Sequence, residues 1–137
     1  MFELARRQGS SAPVTVAEMA KAQAIPPRFL EVIIQQLKQA GYVQSRRGVQ
    51  GGYLLDVAPE RLSVADILRL FDGDLAPVQC LLGQEEQICE LQGRCVFSGM
   101  WHRAKRAIEE VYENTTLKDL VDEDRKRTLG DPTDYCI

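Results

Sequence analysis

Three cysteines, Cys80, Cys89 and Cys95, stand with eight and five residues between neighbours. A chain with two such gaps can fold three thiolates around one centre, and thiolates are the ligands that iron-sulfur clusters and zinc prefer. In a reducing compartment such a group serves a metal or redox site more readily than a disulfide framework. Three ligands are one short of four. The only histidine, His102, follows Cys95 by seven residues, which on a helix puts it roughly 10 Å away by helical rise. It is a poor co-ligand for Cys95 and reads as a solvent-facing helical side chain. Cys136, far along the chain, reads as a free thiol. The same spacing also suits three small, partly buried cysteines in a surface loop, and zinc would accept the same donors.

A second group of residues carries charge rather than metal chemistry. Arg46-Arg47-Gly48-Val49-Gln50-Gly51 joins two strand-like runs, Tyr42–Ser45 and Gly52–Leu55. Glycines let such a tip turn and let backbone approach phosphate, and an arginine there can enter a narrow, electronegative minor groove. Two adjacent arginines also occur in ordinary solvated turns, so their neighbours decide. No Ser-His-Asp, Cys-His or paired-carboxylate set has plausible catalytic spacing, and no phosphate-cradling glycine motif leads from a strand into a helix, so the sequence does not read as an enzyme.

The elements that must position these groups are legible from periodicity. Thr15 with Glu18 has the form of a capping box opening a short helix, Val16 to Ala22. Ile25-Pro26-Pro27 breaks it, and Pro27 suits the first turn of the next helix. From Arg28 to Ala40, Phe29, Leu30, Ile33, Ile34 and Leu37 recur at helical steps, with Arg28, Glu31, Gln35, Lys38 and Gln39 on other faces, until Gly41 ends the run. Short helix, tight turn and second helix is the geometry that lays a recognition helix in the major groove. It is also the geometry of a packed helical pair, and the basic hairpin that follows favours the first reading.

Charge divides along the chain accordingly. The net charge is -3, but residues 1–58 carry seven Lys/Arg against four Asp/Glu, whereas 59–137 carry ten against sixteen. The basic half coincides with the expected DNA reader.

Leu30-Glu31, Leu37 to Val43, and the wing Ser45-Arg46-Arg47-Gly48-Val49-Gln50-Gly51-Gly52-Tyr53 resemble the recognition helix and wing of the Rrf-two family of transcription regulators, of the IscR, NsrR and CymR type. The resemblance runs from about Met1 to Leu120. It implies that Arg28 and Glu31 face base edges and that Arg47 enters the minor groove. The implied DNA-contacting set is Arg28, Glu31, Gln35, Lys38, Arg46, Arg47, Gly48, Gln50, Gly51, Gly52 and Tyr53. It further implies that Cys80, Cys89 and Cys95 hold an iron-sulfur cluster, 2Fe-2S or 4Fe-4S. The fourth ligand stays open, because Ser98 stands where some members have a histidine. Family members usually begin about ten residues earlier, so the first helix, opening inside Met1–Ala5, is expected to be frayed.

Beyond the wing, Ser63 to Asp66 has a capping-box form and starts a helix through Leu70 that Gly73 terminates. Asp74 to Arg94 shows no sustained period. From Val96 to Glu113 a long stripe of Phe97, Met100, Trp101, Ala104, Ile108, Val111 and Tyr112 either packs on its own domain or serves a two-fold interface. By the resemblance it is the dimerisation helix, and Thr116–Leu120 closes onto the partner. Val121–Arg127 reads as a solvated helix end, and Gly130 onward as loose.

The expected fold is therefore mainly α with a small β-hairpin wing: a winged helix-turn-helix domain (1–73), a cysteine-containing sensor loop (74–95), a dimerisation helix with its closing segment (96–120) and a charged tail (121–137). The expected function is a cytoplasmic, homodimeric regulator binding a near-palindromic duplex operator, sensing redox state, iron-sulfur status or nitric oxide, and not associated with membranes. The alternatives are a cluster-free regulator of the same family that responds to a metabolite or partner protein, and a zinc-binding interaction module.

Overall fold

The computed structural model describes residues 1–9, 12–82, 89–91 and 93–129. Cys136 and the tail from Gly130, together with part of the expected sensor loop, lie outside the described residues. The chain divides into two compact units, residues 1–62 with 116–137, and residues 63–115. These boundaries differ from the expected ones. The helix expected to end the reader packs with the long helix of the second unit, and the C-terminal helix belongs to the first.

The first unit is a helix-turn-helix followed by a hairpin. Helix α1 spans Phe2–Arg6, α2 Val16–Gln23 and α3 Pro27–Gln39; strands β1 (Val43–Arg46) and β2 (Gly52–Leu55) pair antiparallel, Val43 opposite Leu55 and Arg46 opposite Gly52. The capping box of α2 forms in both directions, Glu18 N–H to Thr15 Oγ1 and Thr15 N–H to Glu18 Oε2. Its C-terminus closes through Ala24 in the left-handed region, and Ile25 N–H donates to the Ala20 carbonyl at 3.0 Å. That reversal leaves Pro27 at the start of α3, where a missing N–H costs nothing. Val14 exchanges both backbone hydrogen bonds with Tyr53, adding a third chain segment to the sheet edge.

The core of this unit is built from Leu4, Val14, Met19, Leu30, Ile34, Leu37, Val43, Leu55 and Leu62. Each such side chain stabilises the fold by roughly 1.5–3 kcal/mol on full burial. One expectation is corrected here. The first helix is not frayed: Glu3, Leu4 and Ala5 are buried, and the Glu3 carboxylate accepts from Arg7 Nε at 2.7 Å. The segment after residue 115, expected as a short closing segment and a solvated helix end, is continuous. It forms one helix, α6 (Leu117–Leu129), whose Leu117 and Val121 are buried in their own unit against α1 and the 3-10 turn Pro59–Arg61.

The second unit pairs α4 (Val64–Asp72) with α5 (Ser98–Glu113). The Ser63–Asp66 capping box forms as expected and Gly73 caps the C-terminus. Arg69 pairs with Glu113, and Lys105 Nζ lies 2.7 Å from Asp74 Oδ2. Among its described residues only Ala65 is a fully buried apolar side chain. The stripe on α5 is half-buried at Trp101, Ala104, Ile108 and Tyr112, and open at Phe97, Met100 and Val111. The described residues of this unit thus bury little apolar surface of their own.

Candidate nucleic-acid interface

Helix α3 is anchored by Leu30, Ile34 and Leu37, all buried on one side. At 100° per residue the opposite side is centred on Arg28, Val32, Gln35 and Gln39, and each of these is exposed. The expected readers Arg28, Glu31, Gln35 and Lys38 all lie on solvent-accessible parts of the helix. Lys38 Nζ donates to Ser45 Oγ of β1 at 2.8 Å, tying the end of the helix to the first wing strand. The ammonium retains two further donors for an anion.

The wing follows directly. Arg46 ends β1 opposite Gly52; Arg47, Gly48, Val49 and Gln50 are exposed at the turn. Gly48 has a φ of 113°, and Gly51 N–H donates to its carbonyl at 2.9 Å. A Cβ on Gly51 would stand 2.6 Å from the Arg46 carbonyl oxygen, and one on Gly52 would stand 2.7 Å from that of Val14. Both positions therefore require glycine for steric reasons. Gly51, Gly52 and Tyr53 are half-buried and shape the hairpin, while Arg47, Gly48 and Gln50 form its accessible tip. Helix face and wing tip together present hydrogen-bonding groups suited to base edges and cations suited to phosphate.

Sequence periodicity misassigned one side chain and overlooked another. Phe29, read as part of the apolar core stripe, is 63% exposed. Val32, which was not singled out, is 56% exposed near the centre of the outward face. A helical wheel centred on Leu30, Ile34 and Leu37 would have placed both correctly.

The three cysteines are accessible in the second unit. Cys80 lies in the 3-10 turn Gln79–Leu81 and is exposed, as is Cys89, whereas Cys95 is half-buried and its carbonyl accepts from Ser98 N–H at the start of α5. Among the described residues no three His, Cys, Asp or Glu side chains converge into a group able to hold a metal ion. The donors suit a cluster chemically, but among the described residues they do not come together as one group. His102 is exposed, with Nδ1 2.9 Å from the Ser98 carbonyl oxygen, so the ring N–H is used within the helix.

Among the described residues no helix is long and apolar enough to cross a membrane. Residues 1–123 match the Rrf2 family, described as iron-dependent transcriptional regulators. The chain is 34% identical over 120 residues to the HTH-type transcriptional regulator CymR of Bacillus subtilis, covering 88% of this chain and 80% of that protein. The structure of B. subtilis CymR, titled the global cysteine regulator, superposes with a TM-score of 0.74 at 30% identity, over 89% of this chain and 87% of the other. That of T. potens IscR gives 0.75 at 31% identity, over 95% and 83%. The mainly helical fold with its small hairpin wing matches these structures, and the relatives are regulators, not enzymes. The protein belongs to the Rrf2 family of transcriptional regulators.

Proposed function

We propose that the chain is a cytoplasmic, homodimeric regulator that binds a near-palindromic duplex operator through α3 and the wing, and receives its signal at the cysteine-bearing segment of the second unit. The observation that carries the DNA-reading half is the exposed face of α3, held by the Lys38–Ser45 hydrogen bond beside the arginine-bearing turn. Arg28 has the reach for a bidentate contact to guanine, and Glu31 for a cytosine amine. Arg47 and Lys38 supply cations to the groove and backbone. The thin interior of residues 63–115 and the open apolar residues of α5 support pairing through that helix. A two-fold pair presents two readers to related half-sites.

The signal has two readings. Cys80, Cys89 and Cys95 are the right donors for an iron-sulfur cluster, and the iron dependence in the family's description supports that role. When bound, such a cluster would supply a centre sensitive to iron supply, oxidants or nitric oxide. The second reading dispenses with the cluster: the thiols act directly, or a metabolite or protein partner carries the signal. The exposure of Cys80 and Cys89 and the similarity to CymR, whose structure is described as that of the global cysteine regulator, support it. Zinc bound by the same thiols is a further outcome of the test.

Anaerobic purification with iron, sulfide and zinc analysis and an absorption spectrum separates the readings. Visible absorption with bound iron and sulfide, lost in Cys89→Ala, supports the cluster. A colourless, metal-free protein whose DNA affinity changes on thiol oxidation supports the thiol reading. Linkage requires any bound group that changes DNA affinity to be stabilised or weakened by DNA in turn. Equal affinity of the signalled and unsignalled forms for one duplex would contradict sensing at these cysteines.

A further inference from the structure

We infer that Val32, supported by Phe29, reads the 5-methyl groups of thymine, so that part of the operator's sequence is recognised by apolar contact. This rests on the assignment of α3 as the recognition helix. Val32 lies near the centre of the outward face, between Arg28 one turn before and Gln36 one turn after, and is 56% exposed. Phe29, three residues earlier and therefore its neighbour on the helix surface, is 63% exposed. The helix does not lack polar alternatives, since Gln35, Gln36 and Gln39 surround this pair on the accessible side.

The occupant follows from what a major groove offers. Its edges display hydrogen-bond donors and acceptors at every base pair, and the one apolar group among them is the thymine methyl. A valine has no hydrogen-bonding capacity, so it gains from a methyl and leaves any polar edge beneath it dehydrated and unpaired. It therefore favours thymine both by contact and by exclusion of the other bases. The patch is continuous with Arg28 and Gln35 on the same face, which ties it to the duplex that those residues address. A second copy of the chain is the competing occupant.

The test uses the full chain and duplexes selected from a random library. Each thymine of the selected duplex is replaced in turn by deoxyuridine, which lacks only the methyl. The wild-type chain should lose about fourfold in affinity at one or two positions, the worth of one buried methyl-sized group. Val32→Ala should lose that sensitivity at the same position, with an unchanged thermal midpoint. Val32→Thr, which keeps one methyl, should retain part of it. Wild-type binding that ignores every thymine-to-uridine change would overturn the inference, as would sensitivity that persists undiminished in Val32→Ala. A Val32→Ala chain that dissociates but reads DNA normally would assign the patch to a second copy and also overturn it. If the library yields no duplex at all, the DNA-reading assignment itself fails and this inference falls with it.

Discussion

Lys38 Nζ donates to Ser45 Oγ at 2.8 Å, so the last turn of α3 and the first strand of the wing share a hydrogen bond. The two elements proposed to face DNA thus have a direct connection besides the chain between them. Lys38→Ala should weaken duplex binding about equally across sequences and lower the salt slope by about one. Ser45→Ala, which removes the tie but not the cation, should leave the slope unchanged. Affinity measured over a range of salt concentrations compares the two, and equal slopes for Lys38→Ala and wild type would remove Lys38 from the phosphate contacts.

The wing depends on glycine where backbone approaches backbone. Gly52→Ala places a Cβ 2.7 Å from the Val14 carbonyl oxygen and 3.1 Å from Pro13 Cβ, and strand and edge segment must separate. Chemical denaturation should show a loss of about 1–3 kcal/mol, accompanied by weaker DNA binding. Gly9→Ala, with no atom within 4 Å of the added carbon, serves as the control and should leave stability nearly unchanged.

Acid should act through the helix starts. Hydrogen bonds from Thr15 hold the Glu18 carboxyl below its ordinary value, those from Ser63 do so for Asp66, and those from Thr116 for Asp119. Because these values are depressed in the folded state, their stabilisation is present above about pH 4 and is lost as pH falls through the folded values. Helical content followed by circular dichroism should decline through that range. The combined Glu18→Gln, Asp66→Asn and Asp119→Asn chain should be less stable at neutral pH and show a flatter acid limb. An unchanged acid limb would mean that other carboxylates govern acid unfolding.

Pairing through α5 is open to a charge test. Met100 is 42% exposed and Val111 60%, so Met100→Glu and Val111→Glu should leave the single chain folded. In a two-fold interface the carboxylates would be buried without partners, weakening the dimer roughly a hundredfold. Sedimentation equilibrium should then report the mass of one chain. A dimer of undiminished strength would place the interface elsewhere.

Much of this architecture was legible in the residues. Pro26-Pro27, the capping boxes at Thr15 and Ser63, and Gly41 and Gly73 marked element ends that the structure reproduces within a residue or two, because each acts locally. The hairpin was legible for the same reason: its glycines answer to contacts a few residues away. Phe29 was misread because spacing alone assigns an apolar residue to a stripe, whereas the angular position of the stripe is fixed by Leu30, Ile34 and Leu37 together. The C-terminal helix was underestimated because its many charges mask Leu117 and Val121, whose burial against α1 depends on a contact distant in sequence. The cysteine pattern names candidate donors but not their arrangement, since spacing bounds how close thiols can come without bringing them together.

Whether α3 and the wing address duplex DNA is decided by the affinity of the wild-type chain and of Arg47→Ala for a library-selected duplex as salt is raised. Log affinity of the wild type should fall steeply and linearly with log salt. Arg47→Ala should bind more weakly and with a relaxed A·T preference beneath the wing. Wild-type affinity indifferent to salt, or an Arg47→Ala chain with the same affinity and footprint as wild type, would contradict DNA reading by α3 and the wing.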